Sequence, residues 1–164
     1  MLNRTNSHPT LANQPLSQQA MANPTTVLYV DDNPKASRLL ASVLEQCGFR
    51  VITKNDPAEA LALCRRTSFD LALLDYEMPA MKGSRLAREI KYFAPEIPVV
   101  LISGRTELPP ADLEFVDAHF GFGTSLDDLL WSMRILVKPK VVVAEDRELR
   151  HSAGVMDSRW ADST

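Results

Sequence analysis

The stretch LALLDYEMPAMKG, residues 71–83, decides how the rest of the chain is read. Four apolar residues, Leu71 to Leu74, bring a carboxylate, Asp75, to the end of what reads as a buried strand. Met78-Pro79 and then Gly83 turn the chain at once. A short apolar run bounded by turn formers is the pattern of a strand covered on both faces. A carboxylate at its tip needs a reason, because removing an ionised group from water is costly.

Outward from this point the same rhythm repeats. TTVLYVD (25–31) reads as a strand ending on the acidic pair Asp31 and Asp32. NPKASRLLASVLEQCG (33–48) predicts a helix with Leu39, Leu40, Val43, Leu44 and Cys47 on one stripe and a glycine at its stop. FRVITK is a second strand, and DPAEALALCRR a helix opened by an Asp cap and a Pro at its first position. GSRLAREIKYF follows Asp75 as a helix, and IPVVLIS as a nearly all-apolar strand ending at Ser103. PPADLEFVDA predicts a short, weak helix, HFGF a fifth strand, and SLDDLLWSMRILV a last amphipathic helix with a Ser cap.

Strands alternating with helices through short loops imply right-handed crossovers. The fold class is therefore α/β: a doubly wound, five-stranded parallel sheet with helices on both faces, over residues 25–137. Residues 1–24, rich in Asn, Gln, Ser, Thr and Pro without apolar periodicity, read as a disordered leader. Residues 138–164 read as a tail with no separate output domain, and Trp160 falls in that polar stretch.

Composition excludes several classes. The chain has 164 residues, 45% of them hydrophobic, enough for one core. A net charge of −3 argues against a DNA-binding face, which works by releasing counterions from a basic surface. No apolar run approaches the roughly 20 residues that span a bilayer. Cys47 and Cys64 lack metal or CxxC spacing and read as reduced thiols. The expectation is a cytoplasmic protein with no membrane partner.

In a doubly wound fold, ligands sit outside the carboxyl ends of the strands. Those ends here carry Asp31, Asp32, Asp75 and Ser103. Carboxylates crowded together repel unless a proton or cation intervenes, and oxygen-only ligands suit Mg²⁺. A carboxylate beside such an ion can attack a phosphoryl group. Asp75 is then placed to be phosphorylated.

These residues resemble the receiver domain of two-component response regulators, in its flavodoxin-like fold. The likeness rests on Asp31-Asp32, on Asp75, Met78, Pro79 and Gly83 in the spacing D-x-x-M-P-x-x-x-G, and on Ser103-Gly104. It implies that Asp75 is the phosphoacceptor in a phosphorelay. It implies that Asp31, Asp32, Asp75 and the backbone carbonyl of Glu77 hold Mg²⁺. Ser103 becomes the switch hydroxyl. The implied partners are a histidine kinase or phosphotransfer protein as donor and an unidentified downstream protein, with a homodimer left open. The implied chemistry is signalling, with at most self-phosphorylation and self-dephosphorylation.

The sequence departs from the family pattern in three places. Phe122-Gly123 stands where the fifth strand normally ends in Lys-Pro, and Lys138-Pro139 comes too late to replace it. Arg105 either contacts the phosphoryl group instead or pairs with Glu77 across the entrance. His119 occupies the aromatic-switch position and reads as a partly exposed histidine ending a strand. The segment between Ser103 and His119 is short and carries Leu-Pro-Pro, so the output face is unconventional. Read in isolation, Asp32 is a cap for the first helix, Tyr76, Met81 and Lys82 are loop surface, and Trp131 packs a helix face.

The leading reading is a stand-alone receiver that signals by protein binding. The alternative is a pseudo-receiver whose partner interaction ignores phosphorylation, favoured by the missing lysine. A phosphohydrolase using Asp75 as nucleophile and Glu77 as acid/base is a third, disfavoured by the absence of its lysine motif and cap domain.

Overall fold

Five short strands, β1 (Thr26–Val30), β2 (Arg50–Lys54), β3 (Leu71–Asp75), β4 (Val99–Ile102) and β5 (Ala118–Phe120), form one parallel sheet in the order β2-β1-β3-β4-β5. The computed structural model describes residues 24–121 and 123–137. Expectations for the leader before Pro24, for the tail with Lys138-Pro139 and Trp160, and for Phe122 lie outside the described residues. Among the described residues four α-helices alternate with the strands: α1 (Pro34–Gln46), α2 (Pro57–Cys64), α3 (Gly83–Phe93) and α4 (Leu126–Leu136). The α/β architecture of crossover-linked parallel strands is as the alternation implied.

Local chemistry sets the ends. Asn33 Oδ1 accepts the N–H groups of Lys35 and Ala36 and caps α1, with Pro34 at the first position. The expected cap, Asp32, lies one residue too early for those donors. Asp56 caps α2 through the N–H groups of Ala58 and Glu59, and Ser125 caps α4 through that of Asp128. After α1 the chain turns at Gly48 with φ +92, a conformation that a Cβ opposes.

The core has two halves, one on each face of the sheet. Leu28, Leu74 and Leu101 pack with Ala60, Leu86 and Ile90 under α2 and α3. Tyr29, Leu73 and Val100 pack with Leu44, Leu130 and Met133 under α1 and α4. Cys47 borders the second half and Cys64 the first, so the sheet separates the two thiols. Both cysteines are free and half-buried, and burial pushes the Cys64 thiol up.

Four expectations are corrected. The buried stripe of α1 runs Ser37, Ala41, Leu44, and Leu39 is 72% exposed. At 100° per residue Leu39 lies about 140° round the helix from Leu44. Trp131 is 67% exposed because Leu129, Leu130 and Met133 take the inward face of α4. Tyr76 is buried rather than loop surface. Met81 is half-buried against the first core half, whereas Lys82 is exposed. The short helix expected after β4 is present as a single 3-10 turn, Pro110–Leu113. Pro109 and Pro110 supply no N–H groups there, which leaves little from which to build a longer helix.

Candidate functional site

Strand register places the acids side by side. Val30 pairs with Leu74, so Asp31 and Asp75 leave neighbouring strands at the same level. One carboxylate oxygen from each of Asp31, Asp32 and Asp75 lies within 4.8 Å of the others. Asp31 is buried, Asp75 half-buried and Asp32 exposed, so the cluster opens to water at one side.

Asp31 is held from both oxygens. The Tyr29 hydroxyl donates to Oδ2 at 2.6 Å, and the Asn33 N–H donates to Oδ1 at 2.8 Å. Asn55 Nδ2 donates to the Asp31 carbonyl at 2.6 Å and to Ser37 Oγ at 3.0 Å, which ties the β1 loop to the β2 loop. Sequence reasoning missed Tyr29. The usable signal was strand alternation, since residues two apart share a face. Burial, then the hydrogen bond to Asp31, drives the Tyr29 phenol far above its usual range, so it stays a donor.

Asp75 is pushed up to about 6, first by burial and then by the charges of Asp31 and Asp32; N–H groups of Glu77 and Tyr76 partly oppose this. An acid raised by like charges, in an all-oxygen cluster with one open side, fits a hard divalent cation such as Mg²⁺. A pH consequence follows. Because the folded pKa lies above the ordinary 3.8, folding is favoured below that value and loses the contribution as pH rises through about 6. Asp75→Asn should therefore raise thermal stability at pH 8 and leave it unchanged at pH 3. The gain is roughly 1–2 kcal/mol, because an open site is screened. Carboxyl NMR should show Asp75 titrating near about 6 without divalent cation, and at lower pH once Mg²⁺ is added.

Ser103 follows β4 one residue beyond Ile102, the register partner of Asp75, and so stands on the same rim. Its Oγ accepts the Arg105 N–H at 2.9 Å. Arg105 Nε donates to Glu77 Oε1 at 2.8 Å, so the guanidinium bridges the two loops across the entrance. The backbone of Gly121 presses on this loop: a Cβ there would run into the Arg105 carbonyl and lie 3.0 Å from Thr106 Cα.

His119 stands apart from the acids. It lies within β5 rather than at its end, beside Leu101, half-buried. Its Nε2 is buried with no hydrogen-bond partner among the described residues, and burial lowers its pKa. Among the described residues no helix is long and apolar enough to cross a membrane.

Comparison with known proteins agrees with this geometry. Residues 27–119 match the family described as the response regulator receiver domain. The transcriptional regulatory protein GlrR of Escherichia coli (strain K12) is 31% identical over 140 residues, which are 85% of this chain and 30% of GlrR. The autoinducer 1 sensor kinase/phosphatase LuxN of Vibrio campbellii is 31% identical over 128 residues, 77% of this chain and 15% of LuxN. The chain thus spans less than a third of these relatives' length. The response regulator protein TrrA of Thermotoga maritima, solved in complex with Mg²⁺ and BeF, superposes with a TM-score of 0.65 at 25% identity over 69% of this chain and 99% of TrrA. TrrA has also been solved in complex with the histidine kinase ThkA. A sheet order of 2-1-3-4-5 with three clustered acids and a family match over more than half the chain place this protein among the response regulator receiver domains.

Proposed function

We propose that this receiver accepts a phosphoryl group on Asp75 from a phosphohistidine of a histidine kinase or phosphotransfer protein, and signals by binding a downstream protein. The observation that carries the reading is the cluster of Asp31, Asp32 and Asp75 within 4.8 Å. In the step, an Asp75 carboxylate oxygen forms a P–O bond as the P–N bond to the donor imidazole breaks. The imidazole nitrogen takes up a proton and leaves neutral. Asp31, Asp32, Asp75 and the Glu77 carbonyl would hold Mg²⁺, which neutralises charge on the transferred oxygens. Tyr29 and Asn33 keep Asp31 oriented for that role. Ser103 is the hydroxyl that meets a phosphoryl oxygen. Support for the partner comes from the kinase complex of TrrA. Incubation with acetyl phosphate and Mg²⁺, read on a phosphate-affinity gel, tests the reading; no Asp75-dependent shift refutes it.

Arg105 takes over part of the missing lysine's role in this reading. Its ion pair with Glu77 is exposed and worth little, so the guanidinium is free to exchange partners. A charge-assisted contact to the phosphoryl group is worth about 1.5–3 kcal/mol. Arg105→Ala should lower the steady-state level of phosphorylated protein about tenfold, and Glu77→Ala, which releases the guanidinium, should not lower it. Equal levels in Arg105→Ala and the parent would remove Arg105 from the site.

The absence of a lysine at the end of the fifth strand favours one second reading, a binding module indifferent to phosphorylation. Partner binding measured with and without beryllofluoride separates the two: a response to beryllofluoride belongs to the first reading alone.

A further inference from the structure

Tyr76, next to Asp75, touches two parts of the molecule at once. Its backbone continues directly from Asp75, whose pKa the N–H groups of Tyr76 and Glu77 lower. Its buried hydroxyl donates to Asp112 Oδ2 at 2.7 Å, in the 3-10 turn that follows β4. Asp112 Oδ1 accepts from Ser84 Oγ at 3.0 Å in the first turn of α3. Lys82 Nζ stands 3.7 Å from Asp112 Oδ2 and donates to the Tyr76 hydroxyl oxygen at 3.3 Å. These contacts hold the Asp112 carboxyl below its ordinary range, the Tyr76 hydrogen bond most of all.

The ring between these ends has little room to adjust. Tyr76 is 3% exposed, its N–H donates to the Ile102 carbonyl at 2.9 Å, and its carbonyl accepts from the Gly83 N–H at 3.0 Å. On the outer side of the bridge, the loop after Asp75, α3 and the 3-10 turn border an open groove of about 440 Å³ whose lining includes Met78, Met81, Lys82, Arg85, Arg88 and Phe115. The Tyr76 side chain therefore offers a displacement at Asp75 a direct route to the 3-10 turn.

Resting on the reading of Asp75 as phosphoacceptor, we infer that the Tyr76–Asp112 hydrogen bond couples the state of Asp75 to the 3-10 turn and the groove beside it. The route used with a strand-five lysine is missing from this sequence, and His119 at the aromatic position has a ring nitrogen without a partner among the described residues. Tyr76 is a positioning residue in this scheme and does not touch the phosphoryl group with its side chain. When one Asp75 oxygen becomes the P–O bridging atom it accepts hydrogen bonds poorly. The Glu77 N–H then turns toward a phosphoryl oxygen farther out, and the peptide that joins it to Tyr76 turns with it. A hydroxyl bound at 2.7 Å has no slack for that rotation, so its bond to Asp112 weakens. By linkage, removing the bond favours the phosphoryl-bound form by the same factor.

The test uses beryllofluoride with Mg²⁺ on the full chain. Affinity is read by calorimetric titration, and mobility of residues 107–116 by hydrogen exchange. In the parent, saturating beryllofluoride should speed exchange in 107–116. Tyr76→Phe and Asp112→Asn should each tighten beryllofluoride about fivefold or more, and the double variant should gain no more than either single. Affinities unchanged within twofold would show a bond that only stabilises the fold and would overturn the coupling. So would bound beryllofluoride without any response in 107–116. Failure of beryllofluoride to bind the parent at all overturns the phosphoacceptor reading itself, an outcome that the Asp75→Asn comparison identifies separately.

Discussion

Asp75→Asn should leave no acid-stable, base-labile phosphate on the protein after treatment with acetyl phosphate and Mg²⁺, a loss of at least about a thousandfold. The carboxamide has nearly the shape of the carboxylate. What disappears is the nucleophile. Removing one of three crowded charges also lowers their mutual repulsion, so the variant should be the more stable protein above pH 6. Loss of labelling therefore cannot be blamed on unfolding. Asp31 is a poor substitute, because Tyr29 and Asn33 occupy both of its oxygens. Asp32 is exposed and belongs to neither core half. Labelling of Asp75→Asn at the parent's level would mean that another carboxylate is the acceptor, and the assignment would fail. Intact mass before and after base treatment reads both outcomes.

Much of this arrangement was legible because it depends on period and spacing. Leu71–Leu74 and Val99–Leu101 announced buried parallel strands, and parallel strands with right-handed crossovers bring Asp31 and Asp75 to one edge with no further assumption. The side chains that tune the edge were harder to see. Tyr29 reads as one more apolar strand residue; only its register with Asp31 turns its hydroxyl into a clamp. Tyr76 sits between polar and turn-forming neighbours, and the partner of its buried hydroxyl, Asp112, lies 36 residues further along. Leu39 and Trp131 carry the opposite lesson. Hydrophobic side chains tolerate water singly, so a helical stripe drawn from residue type alone can be rotated away from the one the core selects. The corrected cap on α1 has the same origin in small offsets. Asp32 and Asn33 are equally good caps by type, and one residue of offset decides which of them faces the N–H groups and which joins the acidic cluster.

Gly83→Ala should be strongly damaging, and for a reason of space rather than backbone freedom. Gly83 opens α3 with no side-chain cap, and its N–H closes the Asp75 loop by donating to the Tyr76 carbonyl at 3.0 Å. A Cβ there would overlap the Asp75 carbonyl oxygen and lie 3.0 Å from both the Asp75 carbonyl carbon and Leu101 Cδ2. Two of those atoms belong to the main chain of β3, which cannot yield without dragging Asp75 with it. Forcing a methyl into such a place costs about 1–3 kcal/mol, and at about 4–8 °C per kcal/mol for a domain near 100 residues the melting temperature should fall by roughly 5–20 °C. Phosphorylation should slow as well, by about a hundredfold for a displacement near 1 Å, because the shifted atoms carry Asp75. Gly104→Ala is the matched control: a Cβ at that position meets nothing within 4 Å, although Gly104 also borders the site. It should melt within about 1–2 °C of the parent, since surface changes of this kind stay near ±0.5 kcal/mol. If Gly83→Ala melts with its control and phosphorylates at the parental rate, β3 and α3 do not meet as closely as described. The acid at the tip of β3 would then owe its position to something other than the tight turn that follows it.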